Sequence, residues 1–195
     1  ELRAVLGAAT SDHRAPADRR GLLRFWGATW NKPSRACGWS ASLAGSLAYA
    51  LVRLGFDAEA PTGSSGVVQN KIKIMTPKDL LIAISFGRGL RDTIDAVLSA
   101  RHRNVPSLGI TDSGKTPIAK YCDSYLAASI ARTSFIDSYA APTAAINAIL
   151  VACAHSQSDR SLEHLRESEE ENTASVRWYR EFNTLGAKGN KKSQL

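Results

Sequence analysis

The sequence has few cysteines and no long apolar run, and both absences restrict the protein classes to consider. Its three cysteines, Cys37, Cys122 and Cys153, are widely spaced and form no CxxC pair. This pattern excludes a disulfide framework and indicates a reducing, cytoplasmic compartment. An apolar run such as Leu80 to Ile84 ends within a few residues, whereas a membrane-spanning helix needs about 20. We predict a cytoplasmic protein that does not cross a membrane.

The sequence also has no recognisable catalytic pair or metal-binding loop. Its four histidines are isolated from one another, and Glu169 to Glu171 are most simply the solvated face of a helix. A metal site would need several ligands brought together at short spacing. We therefore expect no catalytic residue, no metal and no cofactor.

The net charge of +7 is confined to the two ends of the chain. Residues 1–35 carry seven basic and three acidic side chains, and residues 184–195 carry three basic and no acidic ones. The segment between them, 36–183, holds 15 of each sign. Specific binding to nucleic acid needs Lys and Arg clustered on a folded surface. We expect no specific DNA binding by this chain alone.

Length and composition are those of one folded domain with polar ends. The chain has 195 residues, of which 44% are hydrophobic and 22% charged, as in ordinary globular domains. Residues 1–34 contain clustered turn formers and are interpreted as a leader or connector. Residues 35–158 form the predicted domain. Residues 159–195 are predicted to be a charged tail that is helical to about Phe182 and disordered at its basic end.

Apolar spacing predicts an alternation of helices and strands. Leu43, Leu47, Leu51 and Leu54 repeat at helical spacing before Gly55, which predicts a helix over about 40–54. The later predicted elements are a short helix at 67–75, a strand at Leu80 to Ile84, a helix from Leu90 to about Arg103, a strand at Val105 to Thr111, a short helix after Pro117, an apolar segment at Tyr125 to Ile130 and a long helix at about 139–156.

The order of these elements predicts the fold class. Strands alternating with helices indicate right-handed crossovers. We predict an α/β fold, a doubly wound parallel sheet flanked by helices on both faces, of the flavodoxin-like type. Two alternatives remain for the first strand, namely Leu22 to Trp26 and a short stretch near Ala36 and Cys37. The alanines of the long helix over 139–156 would allow two copies to approach closely, so we expect a homodimer or a higher homo-oligomer.

The loop after Leu80 to Ile84 is the first candidate site. Ligands of a parallel sheet bind beyond the carboxyl ends of the strands. Here Ser85, Phe86, Gly87, Arg88 and Gly89 lead into a helix. A hydroxyl, two glycines and an arginine at a helix N-terminus suit an anion such as phosphate. The alternative is an ordinary strand-to-helix turn, with glycine present only for its geometry.

Two other loops carry polar residues at equivalent places. Ser40 and Ser42 stand at the start of the first predicted helix, where Ser40 could act only as its N-cap. Thr111 and Asp112 end the next predicted strand, and Asp112 could cap the turn that follows. These structural interpretations are favoured for Ser40 and Asp112 by spacing alone.

Two strings of the sequence resemble a known family. They are DLLIAISFGRGLRDT at 79–93 and GITDSGKTPIAKYCDSYL at 109–126, which resemble the SIS (sugar isomerase) domain of the MurR/RpiR family of bacterial transcriptional regulators. The shared pattern is an Asp-led apolar strand that ends in Ser, a phosphate loop, and then an Ile-Thr-Asp strand end. The resemblance spans about 36–158.

The resemblance implies a site for a sugar phosphate. Two hydroxyls of the family pattern are missing because Gly87 and Leu90 stand in their places. Arg88 can substitute for them, since its guanidinium matches the geometry of phosphate. The implied ligand-binding residues are Ser40, Ser42, Ser85, Phe86, Gly87, Arg88, Gly89 and Thr111.

The resemblance also implies a function. We expect a phosphosugar-binding effector domain of a transcription regulator, which contacts DNA only through an N-terminal helix-turn-helix domain absent from these 195 residues. The alternative is an aldose–ketose isomerase of the SIS type, which would need a Glu or His base over the sugar. The available histidines, His13, His102, His155 and His164, lie in the leader, at a helix end and near the tail. A purely structural oligomerisation module ranks third.

Overall fold

The structure is a computed structural model that describes residues 25–28, 38–61, 65–87, 89–133 and 136–174. Its helices are α1 (Gly38–Arg53), α2 (Ser65–Ile74), α3 (Arg91–His102), α4 (Pro117–Tyr121), α5 (Ala140–Ser156) and α6 (Ser158–Ala174). Its strands are β1 (Phe25–Ala28), β2 (Ala58–Glu59), β3 (Leu80–Ile84), β4 (Ser107–Thr111), β5 (Ser124–Ala127), β6 (Ala131–Thr133) and β7 (Ile136–Ser138).

Five strands form one parallel sheet in the order β2-β1-β3-β4-β5. This is the flavodoxin-like arrangement, in which the chain winds outward from β1 and β3 in opposite directions. The predicted doubly wound α/β fold is confirmed. Strands β6 and β7 pair antiparallel in a separate two-stranded sheet.

The central strands are buried on both faces, which explains their uninterrupted apolar sequence. All five residues of β3 are buried, and their side chains alternate between two cores. Leu80, Ile82 and Ile84 belong to the core formed with α1 and α5. Leu81 and Ala83 belong to the core formed with α2, α3 and α4. Helices therefore cover both faces of the sheet.

Helix α6 packs against the end of α1. Ser161 is buried, and its hydroxyl donates to the Leu54 carbonyl over 3.2 Å. Gly55 has a φ of 84°, and a Cβ there would overlap the imidazole of His164. Glycine ends α1 because the left-handed conformation suits it and because no side chain would fit under His164.

The first strand is one of the two alternatives that the sequence left open. It lies at Phe25–Ala28 and overlaps the Leu22 to Trp26 alternative, while Ala36 and Cys37 lie outside the described residues. Strand β1 pairs with both β2 and β3, so the sheet takes a strand from before residue 35. Strands β2, β6 and β7 were not predicted, since two or three residues are too few to show a period.

Within the described residues, no helix combines the length and hydropathy that crossing a membrane requires.

Candidate functional site

The candidate site lies where the winding of the sheet reverses, between β1 and β3. In this topology the connections on either side of the reversal diverge and leave a crevice at the carboxyl edge. Helix α1 belongs to one core and α3 to the other, so their N-termini begin on opposite faces of the sheet. Each N-terminus has backbone N–H groups without a partner inside the helix, and the positive end of a helix dipole.

The loop between β3 and α3 has a backbone that only glycine adopts easily. Gly87 has a φ of 69° and Gly89 a φ of 70°. Leu90 precedes α3 in an extended conformation and gives the helix no side-chain cap. The first N–H groups of α3 are therefore free of a side-chain acceptor from the N-cap position, which is the arrangement that favours an anion.

Ser85 ends the buried run of β3 and brings a hydroxyl to this loop. The residue is 6% exposed, and its backbone N–H bonds to the Ile110 carbonyl. Its Oγ lies 3.9 Å from the position a Cβ would take on Gly89. Among the described residues its hydroxyl has no hydrogen-bond partner. Ser85 is therefore held rigidly by the sheet while its hydroxyl faces the glycine loop.

Asp112 joins the loop after β3 to the end of β4. The Gly87 N–H donates to Asp112 Oδ1 over 3.1 Å, and the Thr111 hydroxyl lies 3.2 Å from the same oxygen. Asp112 therefore has a structural role, as spacing favoured, but its carboxylate bonds to the Gly87 N–H and not to the turn that follows. Thr116 is the N-cap of α4, and its Oγ1 accepts from the Ala119 N–H.

Thr111 is placed beneath the site rather than on its surface. It is fully buried, and its Oγ1 lies 2.9 Å from Thr116 Oγ1. Thr116 in turn donates to the Ser113 carbonyl. These bonds fix the orientation of the loop that carries Asp112, so Thr111 and Thr116 position the edge of the site.

Three aromatic rings connect the start of α1 to the same loop. Trp39 stacks on Tyr139, with ring centroids 5.3 Å apart and planes at 18°. Phe86 meets Tyr139 edge to face at 5.9 Å. Trp39 is 63% exposed, so the cluster presents an aromatic surface beside the glycine loop. Burial, together with the Asp137 carboxylate, raises the pKa of Tyr139.

The structure places the predicted site residues in two groups. Ser85, Phe86, Gly87, Gly89 and Thr111 lie together at the ends of β3 and β4. Ser40 and Ser42 lie in the first turns of α1. Since α1 begins at Gly38, Ser40 is its third residue rather than the residue before it, so it is not the N-cap.

The predicted ligand-binding residues and the observed site differ at a few positions. Arg88 lies outside the described residues. Trp39, Tyr139 and Asp112 take part in the site geometry but were absent from the predicted set. The contact of Trp39 with Tyr139 joins residues 100 positions apart, and no local pattern reports such a contact.

The described residues contain no cluster of three or more His, Cys, Asp or Glu suited to a metal ion. Cys122 and Cys153 are free and buried. Burial raises the pKa of Cys122 to about 12 and that of Cys153 to about 11. Because the thiolate is the reactive form, these two cysteines are held in their unreactive form.

Comparison with known proteins identifies the family. The model of the SIS domain matches residues 35–152. A search of curated proteins found no match. Among solved structures, the chain is similar to the sugar isomerase domain of an RpiR transcription factor from Sphaerobacter thermophilus, with 28% identity, a TM-score of 0.68 and 87% of each chain covered.

Two further structures share the fold at lower identity. One is the Vibrio vulnificus NanR protein complexed with ManNAc-6P, with 15% identity, a TM-score of 0.65, and coverage of 88% of this chain and 61% of that one. The other is a candidate phosphosugar isomerase from Bacteroides fragilis, with 18% identity, a TM-score of 0.58 and 83% of each chain covered. The chain belongs to the SIS domain family, and within it resembles the domains of RpiR-type transcription factors.

Proposed function

We propose that this chain is the phosphosugar-binding effector domain of an RpiR-like transcription regulator. The phosphate would sit at the N-terminus of α3, against the loop from Ser85 to Gly89. The observation that carries the proposal is the conjunction of an N-cap without a side-chain bond, two glycines at positive φ, and the buried Ser85 hydroxyl beside Gly89. Backbone N–H groups and a hydroxyl then converge on one anion.

The remaining predicted residues take distinct roles in this proposal. Gly87 and Gly89 let the backbone approach the phosphate, and Arg88 pairs with it. Phe86 holds the aromatic cluster against the loop through Tyr139. Ser40 and Ser42 lie on the opposite side of the crevice, on α1, where they would meet the sugar. Thr111 acts indirectly, because its hydroxyl is occupied by Thr116 and Asp112.

Two relatives support the choice of ligand class. The protein similar at 28% identity is the sugar isomerase domain of a transcription factor. The NanR structure holds ManNAc-6P, a sugar phosphate. A phosphate group also matches the chemistry of an uncapped helix start better than an uncharged sugar would.

The described histidines favour a sensor over an enzyme. His102 is the last residue of α3, about 16 Å along the helix from Arg91 at its start. His155 lies about 23 Å along α5 from Ala140. His164 packs against Gly55, beyond the far end of α1. None of these three lies where it could move a proton on a sugar bound at the carboxyl edge.

An SIS-type sugar-phosphate isomerase remains the second candidate. Asp112 places a carboxylate at the edge of the site, and a carboxylate can act as a general base. The fold is shared with the candidate phosphosugar isomerase from Bacteroides fragilis. Against this role, Asp112 Oδ1 is already engaged as the acceptor of the Gly87 N–H.

The test is titration calorimetry with a panel of hexose, pentose and amino-sugar phosphates, each paired with the sugar that lacks phosphate. The proposal expects at least one sugar phosphate to bind with micromolar affinity and its unphosphorylated counterpart not to bind. Incubation of each binder with the protein, followed by NMR, should show no interconverted sugar. Product formed at a rate proportional to protein would establish the isomerase instead, and no binding by any phosphate would reject both.

We also propose the assembly and the context of the domain. The exposed face of α5 carries Ala144, Ala148 and Val151, and we expect two copies to pair through it, so light scattering should return the mass of a dimer. The division into residues 1–34, 35–158 and 159–195 stays a prediction. We expect a cytoplasmic protein whose DNA contacts belong to a helix-turn-helix domain outside these 195 residues.

A further inference from the structure

Two buried hydroxyls between β3 and the first turn of α3 have no hydrogen-bond partner among the described residues. Seven polar or charged residues are buried in the described part of the chain. Five of them make side-chain hydrogen bonds, namely Asp79, Ser107, Thr111, Thr116 and Ser161. The other two are Ser85, 6% exposed, and Thr93, 3% exposed. Both lie at the junction of β3 with α3.

A buried hydroxyl without a partner destabilises the folded protein, because it has lost its hydrogen bonds to water. Such groups are rare in native structures and call for a cause. A threonine in a helix usually satisfies its hydroxyl with the carbonyl four residues earlier. Thr143 does so with Tyr139, and Thr173 does so with Glu169, each over 2.8 Å. For Thr93 the residue four earlier is Gly89, which precedes the N-cap of α3, and its hydroxyl bonds neither there nor to any other described residue.

The position of Thr93 on α3 places its side chain close to the proposed phosphate site. Thr93 is the third residue of α3 and belongs to the face that packs on the sheet. Side chains of a helix tilt toward its N-terminus, which here is the end without a side-chain cap. Residues three apart lie on the same side of a helix, so Thr93 stands one turn below Leu90. Leu90 occupies one of the two places where the family pattern has a hydroxyl.

We propose that Thr93 is a ligand-binding residue whose hydroxyl, together with that of Ser85, donates to the phosphate of the bound sugar phosphate. The inference rests on the proposed function. It explains how the site binds phosphate without the two hydroxyls that the family pattern has at positions 87 and 90. Ser85 approaches the anion from the end of β3, and Thr93 approaches it from the first turn of α3. That neither hydroxyl has a partner among the described residues is then explained, because both donors are kept available for the ligand.

The test compares Thr93→Val with the parent protein over the full chain. Valine carries a methyl group of similar size where threonine has its hydroxyl, so the substitution removes a donor with little change of shape. We expect the melting temperature of the free protein to rise by about 2 °C or more. We expect the dissociation constant of the best sugar phosphate, and that of inorganic phosphate, to rise about tenfold. Thr93→Ser keeps the hydroxyl and should bind within about threefold of the parent.

Thr173→Val is the matched control, because Thr173 is an exposed threonine on α6 whose hydroxyl bonds to Glu169. It should leave both dissociation constants unchanged. Unchanged affinity in Thr93→Val, beside a loss in Ser85→Ala, would overturn the role of Thr93 and leave the proposed function intact. A lowered melting temperature in free Thr93→Val would also overturn it, since it would mean that the hydroxyl has a partner.

The titrations also distinguish a failure of the proposed function from a failure of the role of Thr93. If the parent binds inorganic phosphate but no sugar phosphate, the proposed ligand class is wrong, and the phosphate titration of Thr93→Val still decides the role of Thr93. If the parent binds neither, both proposals are rejected.

Discussion

Gly87 donates its backbone N–H to the carboxylate of Asp112 over 3.1 Å, across 25 residues of sequence. The bond ties the glycine loop after β3 to the end of β4. It also places a negative charge on an amide that an anionic ligand would use. Asp112 therefore has two opposed effects on phosphate binding, since it orders the loop and repels the ligand.

Asp112→Asn separates these effects. Asparagine keeps an oxygen that accepts from Gly87 and removes the charge. Two like charges about 4 Å apart repel by about 1 kcal/mol even at the dielectric constant of water, so a sugar phosphate should bind at least about fivefold more tightly to the variant. Titration calorimetry at low and high salt measures the change, and the gain should shrink at high salt. Weaker binding by Asp112→Asn would mean that the carboxylate contacts the ligand favourably.

Removal of Arg88 tests the charge that the sequence places in the loop. If Arg88 pairs with the phosphate, Arg88→Ala loses a charge-assisted bond worth about 1.5 to 3 kcal/mol. The dissociation constant for a sugar phosphate should then rise roughly ten- to hundredfold, with folding nearly unaffected. Arg88→Lys, which keeps the charge without the planar fork, should recover part of the loss. An unchanged dissociation constant in Arg88→Ala would remove Arg88 from the site.

The contact of α6 with the end of α1 is tested at Gly55. Gly55→Ala forces alanine into a φ of 84° and drives its Cβ into the His164 ring. The expected loss is about 2 to 4 kcal/mol of the free energy of unfolding, measured by urea denaturation. The double variant Gly55→Ala/His164→Ala should recover the part due to overlap and retain the part due to the backbone. Full stability in Gly55→Ala would show that α6 does not pack there.

The burial of Cys122 and Cys153 predicts slow alkylation of their thiols and a loss of stability at alkaline pH. Burial raises the pKa of Cys122 to about 12 from an ordinary value of 9.0, so the native thiol stays protonated where the unfolded one ionises. Above pH 9 the unfolded state then binds fewer protons, and the free energy of unfolding falls as pH rises toward 12. Cys122→Ala should flatten that decline.

Alkylation at pH 8 followed by mass spectrometry tests whether the two thiols are buried and protonated. Cys122 and Cys153 should resist iodoacetamide in the native protein and react in denaturant. Rapid labelling of either in the native state would contradict their burial.

The sequence predicted best those elements whose signal is local. β3 occupies Leu80–Ile84, as its apolar run indicated, because a strand buried on both faces shows no polar position. The bounds of α3 and α5 differ from prediction by one residue at each end or less. Strand β2 has only two residues and is defined by its pairing with β1. A short stretch of sequence around β2 does not contain β1 and so cannot show this pairing.

The site was predictable in part for the same reason. Ser85, Gly87 and Gly89 directly follow a predicted strand, so they are identified when the residues after each strand are examined. Trp39 and Tyr139 meet only after folding. The sequence does not reveal that the Thr93 hydroxyl has no partner among the described residues, because threonine is ordinary in a helix and only its surroundings in the fold show this.

We expect a sugar phosphate to bind at the carboxyl edge of β3 with its phosphate on the N-terminus of α3. An NMR titration of ¹⁵N-labelled protein, with the sugar phosphate that binds best in calorimetry, locates the bound ligand. We expect saturable shifts of the backbone amides from Ser85 to Thr93, with Gly87 and Gly89 the largest, and no such shifts with the unphosphorylated sugar. Saturable shifts confined to other parts of the chain, with the amides of 85–93 unmoved, would contradict it.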